Sequence, residues 1–284
     1  MRSTRMTAIA AGVVIMVAGL SACNDKGSDG DKAGGSTGGS SSTGGSSTGG
    51  SSTGGSDPAK DPASSPLDAL NAAKTATEAK KSAKFDGTAT APASGNQKGG
   101  LDWHDGTQMT IEVSSPSGGG KTTKALYTKD AVYLNMGMPG GKPWIKSSYA
   151  SMTKQPGADS MIKELLATAN PSQPIEWMTA AQDLKVVGKE DVRGVQATHY
   201  SGTITLDVQG KHLSPAAQEA LKKQLEKSKD KTEKLDIWID SNNLLVKKQE
   251  RFGSQNSAFF YTAYGDKVDL TPPPASQVTE RPGS

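Results

Sequence analysis

The 23 residues from Gly34 to Ser56 are glycine, serine and threonine only. A run of this kind has no side chain to bury and cannot offset the entropy lost on ordering, so it stays a coil. Any hydrophobic core must therefore be built from the residues that follow. With its charged edges the stretch extends from Asn24 to Ser64, 41 residues. A flexible chain of that length spans about 35 Å on average and roughly 140 Å when stretched. Asp57-Pro58 and Asp61-Pro62 stiffen its end, and a passive spacer is the expected role.

The residues before the spacer explain why one is present. Arg2 and Arg5 make a short basic region, and Ala8 to Leu20 is apolar or small throughout. That stretch is too short to span a bilayer comfortably and ends as a secretory signal does. Leu20-Ser21-Ala22-Cys23 then resembles the lipobox of bacterial lipoproteins. The resemblance implies diacylglyceryl transfer to the Cys23 thiol, cleavage before Cys23, and acylation of the new amino group by a fatty acid such as palmitate. Two or three acyl chains would hold the chain at a membrane where one is marginal. The expected layout is a lipoprotein signal peptide over 1–22, lipidated Cys23 with the tether over 23–64, and a globular domain over 65–284. The cell membrane, on its extracytoplasmic face, is the expected location.

Composition excludes several function classes. Cys23 is the only cysteine, so no internal disulfide and no cysteine-built zinc site can form. Thirty-two Lys and Arg against 29 Asp and Glu leave a net charge of +3, too little to hold nucleic acid by bulk charge. No nucleic-acid partner is expected.

In the head, Ser65-Pro66-Leu67-Asp68 carries the signature of a capped helix start. Leu67, Leu70, Ala73 and Ala76 would form its apolar stripe. The pattern then turns to period two. Gln108 to Val113 alternates, and Ala125 to Tyr127 and Val132 to Met136 read as a hairpin about Lys129-Asp130. Trp144-Ile145 begins another short strand. A helix over Met161 to Ala169, capped by Asp159 or Ser160, stops at Pro171, and a shorter one bears Ile175, Trp177 and Met178. Strands resume over Leu184 to Lys189 and Gln196 to Val208, with a turn near Asp191 to Gly194. Ser214-Pro215 opens a helix, after which Leu235 to Ile239, Leu244 to Phe252 and Ser257 to Tyr264 read as strands before Pro272-Pro273-Pro274. Within Lys211 to Lys234, six lysines from Lys222 onward face four acids, Glu219, Glu226, Asp230 and Glu233, and a solvated helix face is expected. This order predicts an α+β fold: a strongly curved antiparallel sheet, or half-barrel, with helices packed on its concave face.

At this point the chain resembles the LppX/LprAFG family of envelope lipoproteins, which have a LolA-like fold. The resemblance rests on the lipobox, the leading helix, Val187 to Val195, Thr198-His199-Tyr200-Ser201-Gly202-Thr203 and the Ile237-Trp238-Ile239-Asp240 hairpin. It implies a half-open barrel whose helices cover an apolar cavity that carries acylated lipids or glycolipids. The long tether and the lysine-rich stretch depart from the family pattern.

The residues permit such a cavity. The head has 14 aromatic residues, few for its length, and its methionines are adaptable enough to line a wall for variable acyl chains. Met136, Met161, Leu165, Leu166, Ile175, Trp177 and Met178 are the candidate wall. An ordinary packed core is the competing reading of the same stripe. Enzyme signatures are missing: there is no Gly-x-Ser-x-Gly, no His-Glu-x-x-His and no phosphate loop. His104 with Asp102 and Asp105 reads as a surface turn, His199 as part of a strand, and Asp236 and Asp240 as solvated acids on one strand face. No catalytic residue, metal or cofactor is expected. The function predicted is binding or carriage of a lipid or glycolipid by a membrane-anchored protein, with an envelope transporter as a further partner. The alternative is an envelope protein-interaction or sensor-partner module without a lipid. A core filled by Trp144, Trp177 and Trp238 would favour that alternative.

Overall fold

The computed structural model describes residues 65–90, 94–115, 122–137, 142–152, 166–211, 215, 218–219 and 231–280 of the 284. Cys23, the signal and tether segments, Met161, Leu165 and the expected helix after Ser214 lie outside the described residues, Pro215, Gln218 and Glu219 excepted.

Helix α1 (Pro66–Ala79) begins as its sequence dictates. The Ser65 hydroxyl accepts from the Asp68 N–H, and the Asp68 carboxylate accepts from the Ser65 N–H. Such a cap contributes about 1 kcal/mol. Its buried face is Leu70, Ala73 and Thr77. Leu67 is 45% exposed and so lies off the stripe. Strands β1 (Ser82–Ala89), β2 (Gly95–Asp102), β3 (Gln108–Ser114), β4 (Thr122–Tyr127), β5 (Ala131–Asn135) and β6 (Trp144–Ser148) follow as an antiparallel meander. Short α2 (Tyr149–Met152) and then α3 (Ser172–Thr179) come next. A second meander follows: β7 (Lys185–Val192), β8 (Val195–Thr205), β9 (Thr232–Asp240), β10 (Leu245–Phe252) and β11 (Gln255–Thr262), with α4 (Leu206–Gly210) after β8. The strand expected to run to Val208 therefore gives way to α4 after Thr205.

Pairing of β1 with β11 joins the two meanders into one open, curved sheet. Its order is β12-β6-β5-β4-β3-β2-β1-β11-β10-β9-β8-β7. Beyond the proline run the chain does not simply stop. β12 (Val278–Glu280) pairs in parallel with β6.

The register sorts side chains onto two faces. Phe85, Leu101, Met109, Ile111, Tyr127, Ile237, Leu235, Tyr200, Phe259 and Tyr261 are buried on the face that receives α1 and α3. Here the Phe85 and Phe259 rings meet edge to face at 6.2 Å, and they bridge the seam between the two meanders. Thr77 fixes α1 to the β9–β10 turn: its hydroxyl accepts from the Leu245 N–H at 3.3 Å and donates to the Asn243 carbonyl at 3.5 Å. The Trp103 indole donates to the Glu78 carbonyl at 2.9 Å. Helix α3 comes close to β8 at Gly202, where a Cβ would stand 2.7 Å from the Ala181 Cβ and 2.9 Å from the Met178 sulfur. Among the described residues no helix is long and apolar enough to cross a membrane.

Candidate ligand-binding site

The predicted wall residues fall in three places. Leu166, Ile175, Trp177 and Met178 are all buried in the main core between α3 and the sheet. They do come together, and each fully buried apolar side chain of this size contributes about 1.5–3 kcal/mol. Met136, just past the end of β5, is 48% exposed and stands apart from them. Met161 and Leu165 lie outside the described residues. The three tryptophans are divided as well. Trp177 is in the main core, Trp238 belongs to a small cluster with Val192 and Ala197, and Trp144 is half-buried on β6.

A polar cluster that the sequence did not announce sits on the same face as α3. Glu233 on β9 is fully buried, not part of a solvated helix face. Its Oε2 accepts from the Gln209 amide of α4 at 2.7 Å, and its Oε1 has no partner. Burial, and then the charge of Glu250, pushes its carboxyl up to about 8. Next to it Lys248 pairs with Glu250 at 2.9 Å, and the Ser257 hydroxyl donates to Glu250 at 2.8 Å. Burial alone would pull the Lys248 ammonium down, but the Glu250 charge more than reverses this and raises it. Charged residues in the alternating pattern of β10 read as solvent-facing, and only the neighbouring layer makes them interior.

The opposite face carries a second network. His199 stacks on Trp238 with centroids 4.1 Å apart. Its Nδ1 lies 2.8 Å from Glu190 and its Nε2 3.0 Å from Asp236. Asp236, expected in solvent, is buried. Burial works to raise its carboxyl, but hydrogen bonds from Ser201 and His199 and the charge of Arg251 hold it below the ordinary range. Lys247 sits 3.7 Å from the Trp238 ring. Arg193 lies 3.5 Å from the Phe260 ring and binds both Asp86 oxygens at 2.8 Å. The β7–β8 turn delivers Arg193, with Arg193 and Gly194 at φ 54° and 87°, the pair of left-handed residues that a tight hairpin turn favours. His104 and Asp102 form an exposed turn contact at 3.2 Å. Among the described residues no group of three or more His, Cys, Asp or Glu is arranged to hold a metal ion.

A cavity of about 490 Å³ also lies on this second face, between β1–β6 and the C-terminal segment that leads to β12. That segment crosses the sheet at Gly100, where a Cβ would stand 2.7 Å from a Val268 methyl.

No family model matches the chain. Over 242 residues, 76% of this chain and 79% of the relative, it is 36% identical to the 31.2 kDa protein of the rplA–rplJ intergenic region of Streptomyces griseus. It is 29% identical to "Putative lipoprotein SCO4650" of Streptomyces coelicolor over 75% of this chain and 74% of that one. Among solved structures it is similar to LprF from Mycobacterium bovis, at 15% identity and a TM-score of 0.49, covering 72% of this chain and 96% of that one.

Proposed function

From the chain's membership of the family of the Streptomyces griseus 31.2 kDa protein, we propose that it is a lipid-anchored envelope protein that binds or carries an acylated lipid. The signal peptide spans 1–22, Cys23 takes the acyl chains, 24–64 is the tether, and the domain from 65 onward is the carrier. The name of the Streptomyces coelicolor relative, a lipoprotein, supports the anchor, as does a lone cysteine at the one position where lipobox chemistry needs it.

The observation that carries the ligand reading is the apolar layer between α3 and the sheet, where Leu166, Ile175, Trp177 and Met178 gather on one side of an open sheet. The helices lie on the sheet's concave face, and this layer parts to admit acyl chains. Each buried methylene contributes about 0.8 kcal/mol, so about ten would offset the ordering of the ligand. The indole N–H of Trp177 is buried without a partner and can donate to a ligand oxygen at the end of the apolar wall. The mechanism is passive shielding, with no bond made or broken, and an envelope transporter is the natural partner for delivery.

Native mass spectrometry of the full chain, purified in detergent from its own source, tests both parts. The expected masses are those of a chain beginning at acylated Cys23 with one non-covalently bound lipid. A chain that releases no lipid and instead holds a stoichiometric protein partner would refute the carrier reading.

A further inference from the structure

The cavity on the second face is independent of the lipid layer, since the sheet separates the two. Its floor is one rung of cross-strand neighbours. Asp86, Lys98, Glu112 and Lys124 stand opposite one another on β1, β2, β3 and β4, alternating in sign. Asn135 and Trp144 continue the same rung across β5 and β6. Six adjacent strands set the rung's length at about 24 Å. The C-terminal segment walls it with Asp269, Thr271 and Pro273. At the other end a hollow of about 420 Å³ continues it, sharing Asp86, Lys98 and Glu112 and adding Phe260. The result is an elongated trough with an aromatic residue at each end.

We infer that this trough binds an extended, electrically neutral oligosaccharide. Across the two hollows Lys84, Lys98, Lys124 and Arg193 stand against Asp86, Glu112 and Asp269, a net of one positive charge spread over an alternating row, so a uniformly charged polymer of either sign meets nearly as much repulsion as attraction. The groups of the floor are already paired, Glu112 with Lys98 at 3.2 Å and Lys124 at 2.7 Å and Asp86 with Arg193, so the ligand need not bring a counter-charge. It must offer both donors and acceptors in any order, and a hydroxyl does both. A peptide is the poorer match. Peptides that bind sheets gain their affinity from an unpaired strand edge, whereas this trough crosses the strands and the floor's main chain is already paired on both sides. Trp144 supplies the apolar surface against which the C–H face of a sugar ring can pack. The volume of about 490 Å³ is within the ordinary range for ligand sites.

Isothermal titration of the full chain in detergent, with maltohexaose and chitohexaose as probes, tests the inference. At least one of the two should bind saturably, and Trp144→Ala and Glu112→Gln should each weaken it by about tenfold or more, which is about 1.4 kcal/mol. Circular dichroism at the titration temperature should show both variants folded, with Glu112→Gln melting near wild type and Trp144→Ala lowered only by the loss of its half-buried ring. Absence of binding of both hexasaccharides at about 10 mM, a weaker-than-useful limit on the affinity scale, overturns the inference. So does binding that both variants leave unchanged, or displacement of the bound sugar by a charge-alternating hexapeptide.

Discussion

Replacing Glu233 with Gln isolates the energetic cost of the buried acid. In the native fold burial and the Glu250 charge push the Glu233 carboxyl from 4.5 up to about 8. Below pH 4.5 the acid is neutral in both the folded and the unfolded chain, and it adds no pH dependence. Above that, the unfolded chain releases the proton while the folded chain keeps it, so the unfolded state binds fewer protons and stability falls as pH rises. The loss is complete once pH passes the folded value of about 8. At about 1.36 kcal/mol per pH unit the full interval is worth about 5 kcal/mol. Glutamine cannot ionise, so the variant escapes this loss. Its amide can still accept from Gln209, and an unpaired N–H at the place of Oε1 costs about 1–3 kcal/mol at every pH. The slope against pH, rather than stability at one pH, is therefore the readout. Urea denaturation of wild type and Glu233→Gln from pH 4 to 9 should show the difference move in favour of the variant by about 3–5 kcal/mol. A difference that stays flat to within about 0.5 kcal/mol would show that Glu233 is solvated, and the layer above β9 would then be open to water.

Two further substitutions probe the two faces separately. Gly202→Val drives a side chain into the Met178 sulfur and the Ala181 Cβ and should cost about 1–3 kcal/mol by overpacking, read from the urea midpoint at an unchanged slope. Ser201→Ala removes the hydroxyl that donates to Asp236 at 2.5 Å and should cost about 1.5–3 kcal/mol at neutral pH. Because the Asp236 carboxyl is held low, that deficit is full above its ordinary value of 3.8 and fades as pH falls through the lower folded value. A deficit that is the same at pH 2.5 and pH 7 would contradict the arrangement.

Local chemistry made much of this architecture legible. The Ser65–Asp68 cap, the β4–β5 hairpin about Lys129-Asp130 and the β9–β10 turn at Asp240 to Asn243 each depend on residues within a few positions of one another. What the sequence hid depends on distant partners. β2 reads Gly-Asn-Gln-Lys-Gly-Gly-Leu-Asp, with no alternation of its own. It is a strand because β1 and β3 pair with it, and Phe85 from β1 stands 2.8 Å from where a Gly99 Cβ would be. Lys248, Glu250 and Glu233 look solvated in sequence, since nothing near them records the layer that buries them. The C-terminal segment was legible only as a stop, because prolines mark where a strand cannot continue and not where the chain goes next. It is this segment that encloses the trough, so the second cavity could not have been anticipated. The apolar wall shows the opposite limit: Ile175, Trp177 and Met178 were legible as a short apolar helix, while their packing with Leu166 in one core and the separation of Met136 from it depend on the tertiary fold.

The helix layer is not attached evenly to the sheet. Helix α1 is tied to the sheet by hydrogen bonds at both Thr77 and Glu78, and the seam beneath it is closed by the β1–β11 pairing and the Phe85–Phe259 contact. Helix α3 rests on apolar contacts at Met178 and Ile175 and on an ion pair to α1 between Glu176 and Lys74 at 2.9 Å. That pair is a third exposed on the lysine side and is worth at most about 1 kcal/mol. The unpartnered Trp177 N–H costs about 1–3 kcal/mol where it lies, and this cost is relieved if α3 shifts toward water or a ligand oxygen. Parting the layer at α3 therefore breaks no hydrogen bond from the sheet to Trp177, whereas parting it at α1 breaks several. If the layer takes up an acyl chain as proposed, its α3 side is the one where the Trp177 N–H gains a partner on opening.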